Sequence, residues 1–190
     1  RHELVWVDRK GSVAPITADR AAFRLPHLSP DGTRVAVAIN YETRRSDIWV
    51  YDAVRGTKRR LTSDDHNLNP VWTPDGSTVT FGDGGLAEVS ADVGGLRRRL
   101  LEVEDSRRVL PPGTSPYPMS WSPDGRDLLF GADQSGLWIW SRDTGAPRLL
   151  LQSGFNDRNT RMFAYEFVKK NFDAILAKLP EPFRPYLAFT

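Results

Sequence analysis

Ser29-Pro30-Asp31-Gly32, Thr73-Pro74-Asp75-Gly76 and Ser122-Pro123-Asp124-Gly125 are three copies of one tetrapeptide, spaced 44 and 49 residues apart. Repetition at such a period commits a chain to stacking similar units, each of which buries its apolar side only against its neighbours. The tetrapeptide itself encodes a tight turn. Pro presets φ at the second position, Asp bonds back to its own backbone, and Gly accepts positive φ. Such a turn joins two antiparallel strands through a short loop.

The neighbours of each copy repeat as well. A Pro lies just upstream (Pro26, Pro70, Pro118) and an apolar stretch follows (Val35 to Ile39, Val79 to Phe81, Leu128 to Phe130). Next comes an aromatic strand, Asp47-Ile48-Trp49-Val50-Tyr51 in the first unit and Gly136-Leu137-Trp138-Ile139-Trp140 in the third. The middle unit is degenerate there, with Leu86 to Val89 in the same place. A Gly-containing turn and a basic-then-Leu strand close each unit: Lys58 to Thr62, Arg97 to Leu101, Arg148 to Leu151. Four short strands in each ~45-residue unit is the period of a β-propeller blade. Upstream, Leu4-Val5-Trp6-Val7-Asp8, the turn Lys10-Gly11 and Ala14-Pro15-Ile16-Thr17 match the last two strands of such a unit. The sequence thus predicts an all-β fold over residues 1–155: half a blade at 3–18, then blades at 24–62, 68–101 and 116–151.

These residues resemble the TolB-like (PD40-type) propeller repeat. That pattern sets a Trp-Ser-Pro-Asp-Gly turn before an apolar strand, an Asp-Ile-Trp/Tyr-Val strand and a closing Arg-Leu-Thr. Val71-Trp72-Thr73-Pro74-Asp75-Gly76, Ser120-Trp121-Ser122-Pro123-Asp124-Gly125 and Arg60-Leu61-Thr62 carry the likeness, which extends over residues 2–155. The resemblance implies a partial propeller of about three and a half blades. Similar repeats occur in extracytoplasmic parts of receptor-like kinases and in propellers of prolyl-oligopeptidase-like peptidases, so it also favours a periplasmic or extracytoplasmic location. It names no ligand, because one architecture serves many tasks.

The pattern stops near Asn156, and residues 156–190 read as an amphipathic α-helix and a Pro-rich tail. The helix is predicted from Thr160 to Leu179, with Phe163, Phe167, Phe172, Ile175, Leu176 and Leu179 along one side. Pro180, Pro182 and Pro185 end it. Phe167-Val168-Lys169-Lys170-Asn171-Phe172 with Leu179-Pro180 resembles the last helix of zinc aminopeptidases, but their HExxH metal motif is absent from this chain. Three and a half blades do not close a ring, and several hundred Å² of apolar surface on an open blade face costs on the order of 10 kcal/mol. The six apolar helix residues are therefore expected to cap an open face or to mediate self-association. The chain opens on Arg1 without a leader-like stretch and changes character near Asn156, which fits a processed, excised, truncated or fused product.

Chemistry is harder to find. There is no cysteine, which removes disulfides and thiolate metal sites. The 26 Lys+Arg and 24 Asp+Glu are interleaved, so a pI near 9.0 gives no reason to expect nucleic acid. No apolar run approaches the ~18 residues of a membrane span. The nucleophile motif GxSxG is missing, and His2, His27 and His66 sit in three separate segments. Asp31, Asp75 and Asp124 share one turn slot and read as structural. No catalytic residue, metal site or cofactor is expected. Asp64-Asp65-His66-Asn67 is the most polar loop, either solvated or a cation site without the glycine and spacing of a calcium loop. The candidate binding positions are Asp64, Asp65 and His66, with Trp49, Trp138 and Trp140 as packing residues or as a partner groove. The basic runs Lys58-Arg59-Arg60 and Arg97-Arg98-Arg99 read as charge that guards exposed strand edges.

The expected function is a non-catalytic protein-interaction or scaffold module with a protein partner or itself as a homo-oligomer. Two alternatives stand beside it. One is a hydrolase, esterase or peptidase-like, or the accessory propeller of a peptidase. The other is a truncated or fused gene product with no evolved function.

Overall fold

The computed structural model describes residues 1–8, 10–41, 45–132 and 135–152. The helix expected at 160–179, with Phe163, Phe167, Phe172, Ile175, Leu176 and Leu179, lies outside the described residues.

Strands β1 (Val5–Val7) and β2 (Val13–Pro15) form a two-stranded antiparallel sheet. Three four-stranded antiparallel meanders follow. The first holds β3 (Ala22–Leu28), β4 (Arg34–Asn40), β5 (Ser46–Asp52) and β6 (Thr57–Arg60). The second holds β7 (Leu68–Trp72), β8 (Thr78–Gly82), β9 (Leu86–Ser90) and β10 (Arg97–Leu101). The third holds β11 (Pro116–Trp121), β12 (Asp127–Ala132), β13 (Gly136–Ser141) and β14 (Pro147–Leu151). Between sheets the neighbouring strands are β7 with β11, and β3 and β4 with β7, so each first strand from the second blade on lies against the blade before it.

The repeated tetrapeptide is the β3–β4, β7–β8 and β11–β12 turn, built the same way each time. The Ser29, Thr73 and Ser122 hydroxyls donate to Asp31, Asp75 and Asp124 at 2.5, 2.7 and 2.6 Å. The same carboxylates accept the backbone N–H of Thr33, Ser77 and Arg126. Gly32, Gly76 and Gly125 sit at φ 72°, 67° and 70°, where a Cβ would be strained. These bonds hold the Asp31 carboxyl at about 2, chiefly through Ser29, and lower those of Asp75 and Asp124.

Alternation of side chains along each strand gives every blade two apolar faces, and the cores lie between blades. Ala36, Ala38, Ile48, Val50 and Leu61 of the first blade meet Trp72, Val79, Phe81, Ala87 and Val89 of the second. Val71, Leu86, Leu100 and Leu101 of the second meet Trp121, Leu128, Phe130, Trp138 and Trp140 of the third. Leu4 and Ile16, flanking the two-stranded sheet, cover Val37, Ile39 and Tyr51 on the remaining face of the first blade. Each first strand carries a bulge near its Pro, where pairing with the next strand slips: Arg24/His27, Leu68/Val71 and Pro118/Ser120.

One element was not anticipated. A short helix, α1 (Val103–Val109), links the second and third blades and buries Ser106. Gly85 makes room for it, because a Cβ there would stand 2.3 Å from the Leu101 carbonyl oxygen, at the start of the chain leading into the helix.

Candidate functional site

The polar loop between the first and second blades is a fastening. Asp47, at the start of β5, is fully buried. Its Oδ2 accepts from Arg60 Nη2 at 2.5 Å, and its Oδ1 accepts from Thr62 Oγ1 at 3.0 Å, Asn67 Nδ2 at 3.2 Å and the Asp65 N–H at 3.3 Å. Asn67 Nδ2 also donates to Asp64 Oδ1 at 2.6 Å, and Arg97 Nη2 on β10 reaches the same oxygen at 2.6 Å. From there Arg97 Nη1 bonds Asp83 Oδ2 at 2.7 Å, and Arg99 Nη1 takes the other Asp83 oxygen at 2.6 Å. A chain of charges thus runs from β5 across the blade boundary to the β8–β9 turn.

Its protonation follows from the geometry. Burial alone would raise the Asp64 carboxyl, but hydrogen bonds from Arg97 and Asn67 outweigh it and the net shift is downward. Burial opposes the charge on Arg97, yet Asp64 and Asp83 carry its pKa upward. The hydrogen bond to Asp47 does the same for Arg60. The three arginines of 97–99 are therefore ion-paired, since Arg98 binds Glu88. The run lies on the edge strand β10, where charge was expected, and its arginines are ion-paired as well.

The other candidate residues are dispersed. Asp65, at φ 70°, pairs with Arg45 at 3.3 Å, and His66 is exposed and bridges to Ser46. Trp49 is half-buried on the far face of the first blade and donates to Tyr41 Oη at 3.2 Å. Trp138 and Trp140 are buried between the second and third blades, where Trp140 packs edge-on against Trp121 at 6.2 Å. The loop residues and the three tryptophans form no common surface. Among the described residues no group of three His, Asp or Glu side chains has a metal-binding arrangement, and no helix is long and apolar enough to cross a membrane.

Sequence reading missed the opposite end of the blades, where the tetrapeptide turns lie. Two clefts open there. One, of about 750 Å³, lies between the first and second blades and includes Asp31, Arg34, Val50, Arg59, Ala91 and Asp92 in its lining. The other, of about 710 Å³, lies between the second and third and includes Asp75, Glu88, Arg98, Asp124, Arg142 and Asp143. Glu88 accepts from Arg98 Nε at 2.6 Å and from Arg142 Nη2 of the next blade at 2.9 Å. One signal pointed there: Glu88 stands in a repeat column otherwise filled by Val50 and Ile139.

No protein-family profile matches the chain. It is 33% identical over 118 residues to the uncharacterized peptidase YuxL of Bacillus subtilis (strain 168), a match spanning 55% of this chain and 16% of that protein. Among solved structures it resembles TolB from Acinetobacter baumannii, with a TM-score of 0.63 at 20% identity over 80% of this chain and 38% of that one. It also resembles a prolyl endopeptidase, with a TM-score of 0.58 at 16% identity over 80% of this chain and 26% of that one. The chain therefore spans less than half of each relative. The fold is a TolB-like propeller, present here as three four-stranded blades and a two-stranded sheet.

Proposed function

We propose that this chain is a non-catalytic interaction or scaffold module, which presents loops and strand edges on a rigid stack of blades to a protein partner or to a second copy of itself. The observation that carries this reading is how its reactive-looking groups are employed. Asp47, Asp64, Asp83, Glu88, Arg60, Arg97 and Arg142 all bond to one another or to neighbouring polar groups; Arg60–Asp47 and Arg97–Asp83 brace single blades, Arg97–Asp64 ties the second blade to the loop before it, and Arg142–Glu88 ties the third blade to the second. Such pairing rigidifies a scaffold and leaves none of these seven groups free for proton transfer. The two-stranded sheet also displays Val5, Val7 and Val13 at 37%, 60% and 63% exposure, and β1 pairs on one side only among the described residues. An unpaired, partly apolar edge is a template for strand addition.

A second reading is an accessory propeller of a peptidase, favoured by the 33% identity to a protein named as one. The test assays the purified chain on p-nitrophenyl esters and fluorogenic prolyl peptides while sedimentation velocity gives its mass. The scaffold reading expects no turnover above buffer and a particle heavier than the monomer at micromolar concentration. Turnover that disappears in the Asp64→Asn, Asp65→Asn, His66→Ala triple variant, with its circular dichroism unchanged, would overturn it.

A further inference from the structure

The two turn-end clefts share a layout and differ in two members: the residue in the Glu88 position and the strand that supplies one of the arginines. Arg59 stands opposite Val50 on the outer strand of the first blade, as Arg98 stands opposite Glu88 on the second. In the second cleft the Arg142 guanidinium lies 4.4 Å from the Trp121 ring centroid and donates through Nε to the Gly125 carbonyl at 2.9 Å. In the first cleft Arg34 comes from a different strand to the same place. It lies 4.7 Å from the ring centroid of Trp72, the tryptophan of the preceding copy, and its Nη2 donates to the Gly76 carbonyl at 2.8 Å. Both clefts thus hold one guanidinium on the turn-motif tryptophan and another on the outer strand. In the second, the buried carboxylate of Glu88 joins the two. In the first, that position is Val50, and Arg59 has no hydrogen-bond or ion-pair partner among the described residues.

We propose that the first cleft binds a carboxylate side chain of an acidic peptide segment, seated over Val50 and Ala91 between Arg59 and Arg34. This rests on the interaction-module reading and names the chemistry of the partner. The acids already lining the cleft do not oppose it. Asp31 is taken up by Ser29 and Thr33 within its own turn, Asp52 by the Val54 and Arg55 N–H groups, and Asp92 by Arg34. The second cleft has Asp75, Asp124 and Asp143 in its lining and still holds Glu88. A carboxylate is favoured over a phosphate polyanion because the group filling the equivalent position of the second cleft is a carboxylate.

The test is fluorescence anisotropy of fluorescein-labelled hexaglutamate titrated with the full chain, and with single-strand dT oligomer as a second probe. Saturable binding of hexaglutamate is expected. Arg59→Gln should weaken it by about tenfold, the effect of losing one charge-assisted contact, and Arg59→Glu, at an exposed position, should abolish it. Val50→Glu should also block binding, because it supplies the internal carboxylate that the second cleft already has. Arg148→Gln serves as the control. Arg148 also has no hydrogen-bond or ion-pair partner among the described residues and stands at the same register on β14, opposite Ile139, so the affinity should hold. Equal loss in Arg148→Gln, undiminished binding by Arg59→Glu, or preference for the dT oligomer would overturn the assignment. Self-association retained without hexaglutamate binding would remove this site and leave the scaffold reading standing, whereas peptidase turnover would do the reverse.

Discussion

The guanidinium of Arg34 lies 4.7 Å from the ring centroid of Trp72 and crosses from the first blade to the second to do so. The tryptophan reaches back in turn, its Nε1–H donating to the His27 carbonyl at 2.9 Å. At the next boundary Trp121 Nε1 donates to Thr80 Oγ1 at 2.9 Å. The tryptophan before each of these two turns thus joins blades through its N–H as well as through its apolar ring.

That separation of roles can be measured. Trp121→Phe leaves the fully buried Thr80 hydroxyl without its donor and should lower stability by about 1–3 kcal/mol. Adding Thr80→Val removes both partners, so the double variant should recover most of that loss in urea unfolding. Equal stability of the single and double variants would assign the cost to ring packing alone.

Asp47→Ala should be among the most damaging substitutions at the polar fastening. It strips partners from Thr62, Asn67 and Arg60 at once, and only Arg60, at 40% side-chain exposure, has water to turn to. A loss of about 3 kcal/mol is expected in urea denaturation, the lower end for breaking a buried ion pair. Hydrogen exchange should quicken at the amides of β5 and of residues 61–67, and the third blade should keep its protection.

Gly82 and Gly85 are required by close approach. A Cβ at Gly82 would stand 2.7 Å from the Pro116 carbonyl oxygen, and one at Gly85 2.3 Å from that of Leu101. Both obstacles are backbone and neither can swing aside. Gly82→Ala and Gly85→Ala should each lower the thermal midpoint, by the roughly 1–3 kcal/mol of an overpacked site. Gly85→Ala should also weaken amide protection in α1, which the same contact positions.

Acid should loosen all three turns together. The carboxyls of Asp31, Asp75 and Asp124 are held below the usual 3.8, that of Asp31 at about 2, by hydroxyl and backbone donors. A group depressed in the folded state contributes fully above its unfolded value and loses that contribution as pH falls through the folded one. The urea midpoint should therefore fall between pH 4 and 2. The triple variant with Asn at these positions should be less stable at pH 7 and show a flatter profile over that window.

The strands and turns were legible because their causes are local. Pro, Asp and Gly set the tetrapeptide turn from within four residues, and the short apolar stretches beginning at Val35, Val79 and Leu128 mark the blade strands. Helix α1 was not legible. It is seven residues long, and its N-cap Glu102 makes no side-chain capping bond, so it has neither the length nor the cap that would mark it. The ion pairs were hidden for another reason. Arg97 meets Asp64 from 33 residues away and Arg142 meets Glu88 from 54, so nothing local to either arginine marks its partner.

What the amino-acid order determined by itself was the unit: four strands, a fixed turn, and an apolar face on either side, because backbone preference and side-chain alternation act between near neighbours. Only the tertiary structure decided what each charge is for. Stacking one blade on the next brought Glu88 between Arg98 and Arg142, and left Arg59 facing an apolar Val50. The energy of a charge depends on what lies a few ångströms away in space, and in a stack of sheets those neighbours come from another repeat.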